Sequence, residues 1–341
     1  MHLNKRTLKI LVIQTAFIGD VVLATPIVEK LRRFYPEATI DFALRKGNER
    51  LLSQHPSLRK VYVWDKKAAK YKMLWQMLRR IRAERYDLVV NCQRFAASGL
   101  LTALSGARQT VGFDKNPFSF LFSRRMPHQF GSAEKPIHEI TRNLSLITHL
   151  TDDSFEPPRL YPSSADFEKA GFWTAGRPYV CVAPTSVWFT KQYPPHKWVE
   201  LIRTLPAECT VFLLGGPDDA AACEAIRLTS ALDQVRNLAG QLSFLESAAL
   251  LQGAIMNYVN DSAPMHIASA MNAPVAAVFC STIPAFGFTP TSEQHWVIET
   301  RTALDCRPCG LHGYPACPKG HFHCAETVEA RDFPVIDVPS F

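Results

Sequence analysis

The sequence predicts an α/β protein built from two Rossmann-like domains with parallel sheets. Three observations carry that reading. Short β-branched, apolar runs alternate with segments of helical apolar spacing. The alternation happens twice. A stretch rich in Pro, Ser and Asp, residues 151–177, separates the two rounds. A chain of 341 residues, 47% hydrophobic and 20% charged, has the composition of a globular protein. It is long enough for two domains of roughly 150 to 180 residues each. We place the first domain at 1–160, a linker at 161–178 and the second domain at 179–341.

The elements follow in order. Residues 8–13 form an unbroken apolar run, as a strand buried on both faces requires. A loop, 14–20, leads to a helix marked by Leu23, Ile27, Leu31 and Phe34 and closed by Pro36. Strands are expected at 39–44, 61–64, 87–91 and 110–113, and helices at 71–83 and 138–150. After the linker come strands at 179–183, 210–214, 256–260 and 274–279. They alternate with helices at 195–205, 218–231, 243–254 and 264–271. Ligands of such sheets bind outside the carboxyl ends of the strands, and two sheets are expected to turn those ends toward a shared cleft.

The net charge of +7 points to acidic partners, nucleic acid, anionic lipid, nucleotide diphosphates or acidic glycans, without choosing among them. The pairs Lys66-Lys67, Arg79-Arg80 and Arg124-Arg125 are too short to form a basic arm, and each reads equally as a solvated face. With no concentrated basic stripe and no aromatic–basic interleaving, no nucleic-acid partner is expected. Lys5 and Arg6 precede an apolar run, as in an export signal. Gly19-Asp20 interrupts that run and a helical pattern with Pro26 follows, so the run reads as the first strand. No uncharged apolar stretch reaches the roughly 18 residues of a membrane span, and the expected location is cytosolic.

Four loops carry candidate chemistry. In Thr15-Ala16-Phe17-Ile18-Gly19-Asp20 one Gly precedes one Asp at a helix start, without the GxGxxG of a dinucleotide site. Asp20 is either an N-cap or a general base. Thr185, Ser186 and Lys191, after the first strand of the second domain, suit a diphosphate, although a polar loop needs no ligand. Asp261, Ser262, Ala263, Pro264, Met265 and His266 open a helix, and a helix start attracts anions. Gly215 and Gly216 at a strand end permit close approach, with Asp218, Asp219 or Glu224 near enough to bind ribose or merely to cap a turn.

These segments, ILVIQTAFIGDVVLATPIVEKLR, PTSVWFTKQYPPHKWVEL, FLLGGPDD and NDSAPMHIASAMNAPVAAVF, resemble the ADP-heptose:lipopolysaccharide heptosyltransferases of glycosyltransferase family 9. The NDS form and Phe288-Thr289-Pro290 are nearer the heptosyltransferase II branch. The resemblance covers nearly the whole chain. It implies a GT-B fold and an inverting transfer of heptose from ADP-heptose to the lipopolysaccharide inner core, with no cofactor required. It implies Asp20 as catalytic base, and Thr185, Ser186, Lys191, Gly216, Asp261, Ser262, Ala263, Met265 and His266 around the donor. It also implies work at the cytoplasmic face of the inner membrane through peripheral contact. Arg94 and Arg142 are acceptor-side candidates. The chain departs from the family pattern at Ala263, Pro264 and Cys280, which leaves open another nucleotide sugar or another envelope acceptor.

Four of the nine Cys fall in Cys306-x2-Cys309-x7-Cys317-x6-Cys324. Cys306, Cys309, Cys317 and Cys324 either hold a structural zinc or form a loop of free thiols, since only the first pair has zinc-knuckle spacing. The segment lies outside the donor motifs in sequence and is expected to be structural.

Overall fold

The computed structural model describes residues 7–66, 70–131 and 134–337; Lys5, Arg6 and Lys67, singled out above, lie outside them. Strand β1 (Lys9–Ile13) runs through the centre of the first sheet. Ile10, Leu11, Val12 and Ile13 are all 0% exposed, and each such burial contributes about 1.5–3 kcal/mol. With β2 (Thr39–Arg45), β3 (Leu58–Trp64), β4 (Leu88–Asn91), β5 (Gln109–Phe113) and β6 (Arg124–Met126) it makes a parallel sheet in the order β3-β2-β1-β4-β5-β6. The second sheet comprises β7 (Tyr179–Ala183), β8 (Thr210–Leu213), β9 (Val235–Asn237), β10 (Met256–Asn260), β11 (Val275–Phe279) and β12 (His295–Glu299). All its pairs are parallel, in the order β12-β11-β10-β7-β8-β9. Counted from its own first strand, it repeats the order of the first. Both sheets are flanked by helices, as the sequence predicts.

The chain divides after Tyr161 into two compact units, 1–130 with 137–161 and 131–136 with 162–341. Residues 161–178, read as a linker, hold a helix, Ser164–Thr174, that belongs to the second unit. A capping box starts it: Ser163 Oγ accepts the Asp166 N–H at 3.4 Å and the Asp166 carboxylate accepts the Ser163 N–H at 2.7 Å. It packs against helix Phe244–Gly253, with Lys169 and Glu246 paired at 2.9 Å. The polar composition that suggests a linker is the cap and outer face of this helix. Just before it, the chain is strapped to helix Thr25–Phe34. Fully buried Lys30 pairs with Asp152 at 2.6 Å, and the Tyr161 hydroxyl donates to Glu29 at 2.8 Å.

Other boundaries shift for local reasons. The helix after β1 is two helices, Ile18–Val22 and Thr25–Phe34, because Pro26 lacks an N–H and suits a first turn. The predicted helix at 138–150 spans Glu139–Ser145 and then loosens into turns. Strands β6, β9 and β12 were not expected; two have three residues each, and all three lie at or near a sheet edge with few apolar positions to mark them.

One charged network closes the outer side of the first sheet. Asp41 on β2 is 0% exposed and accepts from Arg59 Nε at 3.0 Å, from Arg59 Nη2 and from the Tyr86 hydroxyl. Arg59 and Lys60 continue to Glu84 at 2.9 and 3.2 Å. The hydrogen bond from Arg59, then that from Lys60, overcome partial burial and draw the Glu84 carboxyl down from 4.5 to about 2. A depressed carboxyl stabilises the fold above its unfolded value and stops doing so as pH falls through its folded value. The melting temperature is therefore expected to fall between pH 4.5 and about 2. Glu84→Gln should flatten that part of the profile in scanning calorimetry, and an unchanged slope would remove Glu84 from the account.

Candidate active site

In each sheet the strand order reverses beside the first strand, between β1 and β4 and between β7 and β10. Loops leaving those strands part in opposite directions and open a crevice. At the first switch point Thr15 Oγ1 and Gln93 Oε1 meet at 2.6 Å, joining the loops after β1 and β4. Asp20 is the third residue of helix Ile18–Val22, not its N-cap. Its carboxylate reaches back and accepts the N–H of the N-cap residue, Phe17, at 3.1 Å. Asp20 remains half-buried.

A charged cluster, of which the sequence reading missed Glu139 and His128, lies within electrostatic reach of Asp20. Arg142, an acceptor-side candidate, is 3% exposed. Its guanidinium donates to Glu139 at 2.8 Å and to the Ile137 carbonyl at 2.6 Å, and lies 4.8 Å from the Phe130 ring centroid. Arg94, half-buried, approaches the same ring at 5.7 Å. Burial pushes the Glu139 carboxyl up, Arg142 opposes the rise, and the charge of Asp20 adds to it. Burial, then the charges of Arg94 and Arg142, push His128 below the usual imidazole range, which keeps it neutral near pH 7. The i,i+3 pair Glu139/Arg142 on a helix was the available signal.

At the second switch point Lys191 and Asp261 form an ion pair at 2.7 Å, with side chains 15% and 6% exposed. Lys191 closes a 3-10 turn, Phe189–Lys191, in the loop after β7, and Asp261 follows β10 directly. The Thr282 hydroxyl, after β11, donates to Asp261 at 2.7 Å. Thr185 and Ser186 are half-buried in the same loop as Lys191, and Gln192 fixes that loop by donating to the Ser186 carbonyl at 2.7 Å. Asn260 ties the two loops together by accepting the Tyr193 N–H at 2.8 Å. The helix Ala263–Ala270 begins at Ser262, whose side chain does not cap it. Ser262 and Ala263 are half-buried, and Pro264 brings no N–H.

Met265 is 0% exposed and its N–H donates to the Ser262 carbonyl, so it packs in the core. His266 is 5% exposed, with its ring edge toward Phe288 at 6.4 Å. The Gly216 N–H is taken by Asp219 at 2.7 Å, and a Cβ on Gly215 would fall 2.6 Å from the Asp219 Cβ. These glycines therefore build a turn around Asp219. Glu224 is committed to Arg227 and Asn237. Cys280 is 0% exposed, and burial pushes its thiol well above the usual range.

The Cys-rich segment proves to be adjacent to the donor candidates. Thr190 donates its N–H to the Tyr314 carbonyl at 3.1 Å, and its Oγ1 accepts the Tyr314 N–H at 2.7 Å. Gly313 has φ +77°, and a Cβ there would lie 2.8 Å from Thr190 Oγ1 and 3.1 Å from Lys191 Cγ. Arg307 donates to the carbonyls of Phe279, Cys280 and Thr282 and pairs with Glu299 at 2.7 Å. Cys306, Cys309, Cys317 and Cys324 line one cavity of about 220 Å³ with Thr190 and Ser281. Among the described residues no three His, Cys, Asp or Glu side chains are placed to hold a metal ion.

A family model for glycosyltransferase family 9 (heptosyltransferase) matches residues 74–311. The lipopolysaccharide heptosyltransferase 3 of Escherichia coli is 31% identical over 286 residues, 78% of this chain and 82% of that protein. The solved ADP-heptose lps heptosyltransferase II of E. coli matches with a TM-score of 0.75 at 24% identity, covering 89% of this chain and 96% of that one. The E. coli heptosyltransferase WaaC, solved with ADP, gives 0.68 at 19% identity over 85% and 93%. Twin parallel sheets of this order, with solved neighbours of this kind, define a GT-B glycosyltransferase fold. The chain belongs to glycosyltransferase family 9, the heptosyltransferase family, and is a glycosyltransferase.

The Glu139–Arg142 pair gives a direct test of the first site. Removing one partner of a buried ion pair leaves the other charge uncompensated, at a cost of about 3–5 kcal/mol. Arg142→Met is expected to lower unfolding stability in urea by about that amount. Adding Glu139→Gln should recover part of the loss. A double variant no more stable than Arg142→Met would show that packing, not the uncompensated charge, dominates.

Proposed function

We propose that this enzyme transfers heptose from ADP-L-glycero-D-manno-heptose to the lipopolysaccharide inner core, with inversion at the anomeric carbon. The observation that carries the proposal is the Lys191–Asp261 pair, fixed beside a helix start at the switch point of the second sheet. An ammonium and a helix N-terminus at that position suit a nucleoside diphosphate. A Lys ammonium has three N–H donors, and the ion pair with Asp261 leaves others for phosphate oxygens. Thr185, Ser186 and Ser262 supply hydroxyls in the same loops. Support for the sugar and acceptor comes from the relatives, one named a lipopolysaccharide heptosyltransferase and another solved with ADP.

In the proposed step the acceptor oxygen bonds to the anomeric carbon while the bond from that carbon to the β-phosphate oxygen breaks. The electron pair of the broken bond leaves with ADP, whose growing charge Lys191 stabilises. The hydroxyl proton passes to the Asp20 carboxylate. Arg94 serves the acceptor side directly, and Arg142 serves it by fixing Glu139 and Phe130. No helix among the described residues is long and apolar enough to cross a membrane. In this reading a lipid-linked acceptor is met by peripheral contact at the cytoplasmic face of the inner membrane.

Incubation with ADP-heptose and truncated lipopolysaccharide cores should add one heptose, read by mass spectrometry. Transfer from another nucleotide sugar in its place would favour the alternative raised by Ala263 and Pro264.

Asp20→Asn retains an oxygen that can accept the Phe17 N–H, so the melting temperature and ADP binding are expected to stay near normal. Turnover should fall by at least about 10²-fold, the lower end of what a general base supplies. Wild-type turnover would return Asp20 to a purely local role.

Lys191→Ala removes the cation from the diphosphate. A charge-assisted contact contributes about 1.5–3 kcal/mol, so ADP should bind at least about tenfold more weakly in titration calorimetry. Unchanged ADP affinity would move the donor elsewhere.

A further inference from the structure

The carboxyl ends of β3, β4 and β5 lead into helix Lys70–Glu84, helix Ala96–Ala103 and the 3-10 turn Ser119–Leu121. The first helix packs against the second, and the second against the turn. Both helices cross the sheet in the same direction, from β3 to β4 and from β4 to β5, so right-handed crossovers place them on one face. Helix Lys70–Glu84 buries Leu74, Met77, Leu78 and Ile81 against the sheet. An exposed flank carries Tyr71, 79% exposed, Trp75, 54% exposed, and Arg79 at i,i+4 spacing, with the Arg79 guanidinium 5.8 Å from the Trp75 ring centroid. Lys72 and Arg80 are exposed beside them. On the neighbouring turn Phe120 and Leu121 are 69% and 52% exposed. No acidic residue occurs from Lys70 to Ala83 or from Lys115 to Arg125. Glu84, which ends the helix, is spent on Arg59 and Lys60.

We propose that this face docks on an anionic lipid bilayer, seating Trp75, Phe120 and Leu121 at the headgroup level. Aromatic side chains prefer that interface, and cations beside them are drawn to anionic headgroups. A two-fold contact with a second copy would set Lys72, Arg79 and Arg80 against themselves, which disfavours self-association here. Asp20 follows β1 at the same carboxyl rim of the same sheet, so docking would bring a lipid-linked acceptor to the side where the proton is taken. The inference rests on the proposed lipid-linked acceptor, but its test does not.

The full-length protein should float with vesicles containing phosphatidylglycerol and not with phosphatidylcholine alone, and added salt should weaken the binding. Arg79→Glu with Arg80→Glu is expected to weaken vesicle binding about tenfold or more. Phe120→Ser with Leu121→Ser tests the apolar part independently and should also reduce flotation. Both variants should keep the wild-type melting temperature and transfer heptose normally to a water-soluble, delipidated core. Failure of the wild-type chain to float overturns the proposal, as does wild-type flotation by both variants. A wild-type dimer that Trp75→Ser converts to monomer would assign the face to a second copy instead. If vesicles bind as described while no heptose is transferred, the surface stands and the donor and acceptor reading fails.

Discussion

Everything chemical in this molecule depends on how each sheet places its first strand. β1 lies between β2 and β4, and β7 lies between β8 and β10. Parallel pairing forbids a tight return, so each neighbour is reached by a crossover, and the crossovers on either side run in opposite directions. The loops after the paired strands separate and leave polar groups between them. Asp20 and Lys191 occupy matching positions in this scheme, each in the segment that follows the first strand of its sheet. One is an acid and the other a base. The same topology, built twice, thus presents a carboxylate in one unit and an ammonium in the other, the groups to which the proposed transfer assigns the proton and the diphosphate.

The cations at both sites are held before any substrate arrives. A free Lys side chain carries about 2 kcal/mol of rotamer entropy, much of which must be given up on binding. Pairing Lys191 with Asp261 fixes the ammonium in advance and would lower the ordering cost of taking up the proposed diphosphate. The cost of this arrangement is a carboxylate near the place proposed for an anion. Thr282 offsets it by donating to the same carboxylate oxygen, and Asp261 lies one residue before the Ser262 helix start. Asp261 therefore fixes Lys191 in position beside the proposed donor site. Arg142 follows the same logic in the first unit, with Glu139 as its anchor and Phe130 as its stacking surface.

The fold was legible because its central strands must be apolar on both faces. Runs such as Ile10 to Ile13 and Val275 to Phe279 have no other stable place. Edge elements escape that constraint, which is why β9 and β12 left so little trace. Helix Ser164–Thr174 was misread for a related reason, since only Ala170 among its residues is buried. Loops bearing Asp20, Thr185 and Lys191 were found by residue type and by position after a strand. The pairing of Lys191 with Asp261 was not, because the two meet only through the folding of the sheet between them. Burial decided the remaining cases. Nothing in the sequence separates Met265, packed in the core, from half-buried Ser262 three residues earlier.

The Cys-rich segment shows how far sequence distance can mislead. It follows the last strand, and by order alone it stands apart from the donor loops. In the structure it grips both ends of the Lys191–Asp261 pair. Tyr314 is bonded to Thr190, the residue before Lys191, through backbone and hydroxyl alike. Gly313 is glycine because any Cβ would press on Thr190 and Lys191. On the other side Arg307 holds the Thr282 carbonyl, and Thr282 holds Asp261. A loop that fixes a cation from one side and its counter-ion from the other sets the distance between them. Residues outside the proposed donor loops can then set the geometry of the pair, and the structural role expected of this segment falls on the same residues that the donor proposal uses.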